Sequence, residues 1–212
     1  MKKQALIPAV ILLLLSIFLV AMNTQKEKML EIGEAMPGSN VEMLNVDDTK
    51  VTLESISQEN GLLVIFSCNT CPFVIGNGTK SEGWENRYPG LGNKCAELNV
   101  GMVLVNPNEA KRTAGDSFED MQKRYKDKDY NCYYVVDENS ALADMFGALT
   151  TPHVYLFNAE GKLVYRGAID DNVNREKDVK EHYLDNALDN MVKGNKISPE
   201  TTKQLGCSIK RV

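Results

Sequence analysis

Two cysteines with a two-residue spacer, Cys68-Asn69-Thr70-Cys71, directly follow the apolar run Gly61-Leu62-Leu63-Val64-Ile65-Phe66. Thiols so spaced close a small disulfide ring, so the pair stores two electrons that it exchanges with other thiols and disulfides. Between a strand and a helix, a thiolate faces unpaired N–H groups and the positive end of the helix dipole, which lowers its pKa. This placement makes Cys68, on the N-cap side and nearest solvent, the expected attacking thiol. Cys71, one turn further in, is the expected buried resolving thiol. A zinc site needs four ligands, and the chain offers no second Cys-x-x-Cys and only two histidines, His153 and His182. A structural disulfide this short, this close to a helix start, would be strained and easily reduced. The dithiol itself carries the electrons, so neither an organic cofactor nor a metal is expected.

Other chemistry-bearing residues are less decisive. Soft thiolates also bind Cu(I), so Cys68, Cys71 and His153 make an alternative copper-binding or copper-delivery set; the plainer reading of His153 is a half-buried strand residue. Cys207, in the C-terminal tail, is either a third redox thiol or an idle one. Cys95 lies on an apolar helical stripe and reads as inert packing, while Cys132 opens a strand with no assigned role. Asp170-Asp171 reads as a solvated turn.

The elements around the thiols follow from periodicity and turn residues. Val41–Leu44 and Lys50–Leu53 flank Asn45-Val46-Asp47-Asp48 as a hairpin. The run 61–66 reads as a strand buried on both faces. Pro72 suits a first helical turn, and Gly76-Asn77-Gly78 ends that helix. Trp84, Tyr88, Leu91, Cys95 and Leu98 recur at helical spacing, with Pro89, Gly90 and Gly92 predicting a kinked or split helix. A strand over 100–105 precedes a helix expected to open at Asp116, with Glu119 three residues on. Further expectations are a strand over 133–136, a helix over 137–146 stopped by Gly147, and strands 153–158 and 162–166 joined by Ala159-Glu160-Gly161. A last helix carries Leu184, Ala187, Leu188 and Met191 and ends near Gly194.

The chain has 212 residues, 43% hydrophobic and 25% charged, which suits one globular domain plus a tail. Lys2 and Lys3 precede an apolar run from Ala5 to Met22, the layout of an export signal and just long enough to span a bilayer. Residues 1–28 are therefore expected to be a signal peptide or membrane anchor, and 29–212 the folded domain. Either reading puts that domain outside the cytoplasm, in a periplasmic or similar space, with residues 5–22 tethering it if uncleaved. Beyond Lys28 the chain keeps 20 of its 24 basic and 28 of its 29 acidic residues, a formal charge of −8. That acidity, without a basic stripe, excludes nucleic acid as an expected partner.

Several separated motifs together resemble one family. Cys68-Asn69-Thr70-Cys71, Thr151-Pro152 opening a strand, and the closing hairpin and helix are similar to the thioredoxin superfamily. Gly33, Pro37-Gly38 and the first hairpin resemble its redoxin branch, the alkyl-hydroperoxide-reductase/thiol-specific-antioxidant group. Cys68 to Val74, Val164-Tyr165-Arg166-Gly167 with Ile169-Asp170-Asp171, and Gly206-Cys207-Ser208-Ile209-Lys210 resemble the peroxiredoxin-like subgroup with a Cys-x-x-Cys. The resemblance implies an α/β thioredoxin-like fold: a central mixed sheet with helices on both faces and an N-terminal β-hairpin extension. It implies a cis Thr151–Pro152 bond against the cysteine pair, leaving the Thr151 backbone open to pair with an extended substrate. It further implies thiol–disulfide exchange with protein or small-molecule disulfides or dithiols, recharged outside the cytoplasm by a membrane electron-transfer partner. A thiol peroxidase is the alternative within the family, but its cysteine needs a Thr three residues earlier, where Ile65 precedes Cys68 and Cys68 precedes Cys71. Leu62 stands where thioredoxins carry a buried acid, so the proton-handling group near Cys71 is unassigned.

Overall fold

The computed structural model describes residues 28–212. The signal-or-anchor reading of residues 5–22 lies outside the described residues. Among those described, no helix is long and apolar enough to cross a membrane.

The N-terminal hairpin pairs β1 (Met43–Leu44) with β2 (Lys50–Val51), Met43 opposite Val51. The second strand stops short of the expected Leu53. The Thr52 hydroxyl accepts from the Ser55 N–H at 3.0 Å, and the Ser55 hydroxyl accepts from the Thr52 N–H at 2.9 Å. This reciprocal cap turns the chain into a short helix, α1 (Leu53–Ile56).

The apolar run forms β3 (Leu62–Phe66), buried throughout. It leads into α2 (Pro72–Ile75), which ends at Gly76 with φ 81°. The expected kinked helix is a 3-10 turn, Glu85–Arg87, running into α3 (Tyr88–Glu97). Pro89 falls in its first turn, where the missing N–H loses no hydrogen bond. Next come β4 (Gly101–Asn106), α4 (Phe118–Asp127) and β5 (Tyr133–Val136). A 3-10 turn then enters α5 (Ala141–Phe146), and Gly147 stops it with φ 61°. The last elements are β6 (Thr150–Thr151), β7 (His153–Phe157), β8 (Leu163–Gly167), α6 (Tyr183–Val192) and β9 (Cys207–Ser208).

The main sheet has the order β5-β4-β3-β7-β8. β3, β4 and β5 run parallel, joined by helical crossovers, while β7 and β8 are antiparallel additions. The two-residue period of β3 divides the core. Leu63 and Ile65 pack with Val74, Met121, Leu184 and Leu188 on one face. Leu62, Val64 and Phe66 pack with Leu53, Ile56, Leu142 and Phe146 on the other. Helices therefore cover both faces, the thioredoxin-like arrangement, and the carboxyl end of the central strand delivers the cysteine pair to a helix start.

Asp137 ties α5 to the sheet by accepting from the N–H groups of Leu142 at 2.8 Å and Ala143 at 2.9 Å. Burial raises its pKa from 3.8 to about 6. Because the folded value is raised, the stability linked to this group is full below about pH 4 and lost as pH rises through about 6. Asp137→Ala is expected to destabilise the protein by ~1–2 kcal/mol at acidic pH in urea unfolding and to remove that pH slope.

Candidate active site

The helix N-cap belongs to Cys71, not to Cys68 as the spacing had suggested. Pro72 takes the first helical position, and Cys71 keeps extended backbone at φ −85° and ψ 124°. Neither thiol faces solvent: Cys68 is 1% exposed and Cys71 2%. Their environments pull them apart. Cys71 is lowered from 9.0 to about 5, first by the hydrogen bond from Cys68, then by the Cys207 side chain and the N–H groups of Cys207 and Phe73. Burial opposes that shift. Cys68 is held well above its ordinary value by its hydrogen bond to Cys71, by burial and by the nearby charge of Asp116. The Thr151 carbonyl, 3.0 Å from Cys71 Sγ, accepts a hydrogen bond from the Cys71 thiol, which favours its protonated form. The Cys207 N–H thus lowers Cys71, while burial and the Asp116 charge raise Cys68.

Thr151–Pro152 is cis, as the resemblance implied. Thr151 is fully buried, and its hydroxyl lies 3.1 Å from Cys68 Sγ. Its backbone is not open to substrate, however. β6 pairs antiparallel with β9, Thr151 opposite Cys207 and Thr150 opposite Ser208. The protein's own tail thus occupies the strand position expected for an extended substrate. Cys207 donates its N–H to Cys71 Sγ at 3.3 Å and is only half-buried.

Asp116 was expected to open α4. Instead Ser117 caps that helix with its hydroxyl on the Asp120 N–H at 3.0 Å, freeing Asp116 to turn inward. There it holds the spacer between the two cysteines. Asp116 Oδ1 accepts from the Asn69 N–H at 2.6 Å and from Asn106 Nδ2 at 3.0 Å. Oδ2 accepts from the Thr70 hydroxyl at 2.7 Å and from Asn108 Nδ2 at 3.1 Å. The Tyr134 hydroxyl donates to Asn69 Oδ1 at 2.8 Å, clamping the spacer from the β5 side. Sequence reading missed this buried acid. The self-sufficient Ser117/Asp120 cap was the signal available, since it left the preceding Asp116 without a local role.

With this geometry fixed, the relatives can be placed. Residues 31–184 match the Redoxin family model. The chain belongs to the Redoxin family. An uncharacterized conserved protein from Geobacillus kaustophilus is similar at 30% identity, with 87% of this chain and 94% of that one covered and a TM-score of 0.77. A hypothetical protein from Sinorhizobium meliloti 1021 shares 25% identity over 87% of this chain and 97% of its own, with a TM-score of 0.76. Peroxidoxin BcpB from Mycobacterium tuberculosis, 13% identical over 77% of this chain and 95% of its own at a TM-score of 0.50, shares the fold. No curated protein matches. Family membership and fold together support thiol redox chemistry in general terms.

The remaining expected residues of this redoxin fall elsewhere. His153 is fully buried and stands in register with Phe66, on the sheet face opposite the layer that contains Cys68 and Cys71. Its ring packs 4.5 Å from that of Tyr155, and burial lowers its pKa from 6.5 to about 3. A copper site built from Cys68, Cys71 and His153 is therefore not formed, and among the described residues no cluster of three His, Cys, Asp or Glu side chains could hold a metal. Asp170 is not the solvated turn expected. It is 5% exposed and accepts from Trp84 Nε1 at 2.7 Å and Arg87 Nε at 2.9 Å, locking the chain after β8 onto the start of α3. Cys95 is buried and pushed up to about 12 by that burial, and burial also raises Cys132, which disfavours the thiolate of each.

Proposed function

We propose that this redoxin is a thiol–disulfide oxidoreductase that stores its two electrons on Cys68 and Cys71, with Cys71 as the thiolate. The observation that carries the reading is the position of Cys71 at the start of α2, where the Cys207 N–H donates to its buried sulfur at 3.3 Å. In the reducing direction a substrate disulfide accepts two electrons, its two sulfurs leave as thiols, and the cysteine pair becomes a disulfide. The reverse oxidises a dithiol. Asp116 and Tyr134 keep the spacer rigid, so the two sulfurs stay within bonding reach. The basic and apolar start of the chain supports work outside the cytoplasm, with a membrane electron carrier as the recharging partner and protein disulfides or dithiols as substrates. Peroxide reduction is the second reading, and it is less well supported, because Cys68 rather than a Thr stands three residues before Cys71.

Stabilising the thiolate stabilises the reduced form and makes the disulfide more oxidising. A Cys71 at about 5 lies between thioredoxin at about 7 and the strong oxidant DsbA at about 3.5. The expected reduction potential therefore falls between about −270 and −120 mV. Equilibration against glutathione, read by mass spectrometry of the trapped thiols, measures it. Absence of any disulfide involving Cys71 at every poise would end the oxidoreductase reading.

A further inference from the structure

The sulfurs that hold the electrons are buried, and the one thiol of the site that reaches the surface is Cys207. Cys71 and Cys68 are 2% and 1% exposed, whereas Cys207 is half-buried at the edge of the two-stranded β6–β9 ladder. Its place is built, not incidental. On one side, Thr202 accepts from the Ala168 N–H at 2.9 Å, and its own N–H reaches the Arg166 carbonyl at 3.0 Å. On the other, the Ile209 N–H donates to the Leu149 carbonyl at 3.0 Å, and Lys210 bonds to Asn108 at 3.0 Å and to the Ala110 N–H at 2.8 Å. A Cβ on Gly206 would meet the Thr151 carbonyl at 2.4 Å, so glycine lets the tail lie this close. The tail is clamped on both sides of Cys207, and the clamp sets that residue against Cys71.

We propose that Cys207 is the outer thiol of a three-thiol relay, the group through which external thiols and disulfides reach the buried pair. The proposal deepens the oxidoreductase reading and rests on it. In the reducing direction the Cys207 thiol passes its proton to the neighbouring Cys71 thiolate and attacks one sulfur of a substrate disulfide. A Cys207–substrate disulfide forms, and the other substrate sulfur leaves as a thiolate. Cys71, deprotonated again by that leaving thiolate, then attacks Cys207 Sγ, and the second substrate sulfur leaves as a thiol. Cys68 next attacks Cys71 Sγ and releases Cys207 as a thiol. The substrate gains two electrons and two protons; the Cys68–Cys71 pair supplies both electrons and the Cys68 proton, and solvent supplies the second proton. In the reverse direction an external disulfide is formed at the cost of the internal one. The low pKa of Cys71 favours each step in which it is the leaving group.

The tail strand also accounts for the closed Thr151 backbone. The protein fills its own substrate-strand position with a segment that carries a reactive thiol, so exchange happens at the rim and not in the interior.

Trypsin separates the question cleanly, because Cys68 and Cys71 share the peptide 51–80 while Cys207 lies on 204–210. The full chain is exposed to glutathione disulfide, quenched with acid at intervals, alkylated and mapped. The expected result is early glutathionylation of Cys207, then a linked 51–80/204–210 pair, then a Cys68–Cys71 disulfide. In Cys68→Ser the linked pair should accumulate as the end product. Cys207→Ser and Cys207→Ala should slow reduction of glutathione disulfide by at least about tenfold. A linked pair absent from both wild type and Cys68→Ser overturns the relay, as does a wild-type rate in either Cys207 variant. Those outcomes leave the oxidoreductase reading standing. Only the loss of all disulfide formation at Cys71 removes both.

Discussion

Cys71→Ser is expected to lower disulfide-exchange turnover by roughly 1,000-fold or more, because the proposed exchange passes its electrons through the Cys71 sulfur. Cys68→Ser is expected to slow turnover by only about ten- to a hundredfold. A serine hydroxyl still donates a hydrogen bond to Cys71, and Cys207 remains as a partner for it. The pH dependence has a definite sign. Cys71 is depressed from 9.0 to about 5, so its reactivity should hold down to about pH 5 and fall below it as the thiolate protonates. The same depression means that the stability linked to Cys71 is full above about pH 9 and lost progressively as pH falls towards 5. Ultraviolet thiolate absorbance in wild type, Cys68→Ser and Cys71→Ser checks the assignment. A thiolate titrating near 5 should vanish in Cys71→Ser alone. Turnover lost in Cys68→Ser but retained in Cys71→Ser would restore Cys68 as the nucleophile.

Asp116→Ala is expected to destabilise the protein by ~3 kcal/mol or more, since it strips four buried donors of one acceptor at once. The buried Asn69 N–H and the part-buried Thr70 hydroxyl would lose their partner, and the spacer of the cysteine pair would lose its anchor. Asp116→Asn offers little relief, because an amide NH2 would face donors and not acceptors. A second readout separates this role from simple packing. The charge of Asp116 helps to raise Cys68, so Cys68 should titrate lower in Asp116→Ala than in wild type. Urea unfolding and the pH profile of Cys68 alkylation in a Cys71→Ser background measure the two effects. An unfolding midpoint equal to that of wild type would show that Asp116 does not hold the loop.

Interactions between near neighbours in the chain made much of this molecule readable. The unbroken apolar run 61–66 demands a strand covered on both faces, and β3 is that strand. Gly76 and Gly147 stop helices because a positive φ is easy for them, and both adopt one. Two short strand-like runs, 153–158 and 162–166, with a glycine-bearing turn between, gave the closing hairpin. The thiol pair at a strand–helix junction was equally plain. Where local signals competed, the reading slipped. Thr52 and Ser55 form a cap that ends β2 before Leu53, and Ser117 took the cap expected of Asp116.

By itself, then, the sequence determined the layered sheet, the thiol pair at its strand–helix junction and the family resemblance, because period, turn chemistry and the Cys-x-x-Cys spacing act over a few residues. Only the tertiary structure decided what surrounds each thiol. That depends on Asp116, 47 residues from Asn69, which accepts from the spacer N–H and whose charge helps to raise Cys68. It also depends on Cys207, 136 residues from Cys71, arriving through the β6–β9 ladder to donate its N–H. His153 failed to join the site for the same reason: strand pleating turns it to the far face of the sheet from the cysteines, whatever its proximity to Thr151 in the chain. Hydrogen bonds between distant residues form only once the sheet register is set, so they are absent from any local pattern.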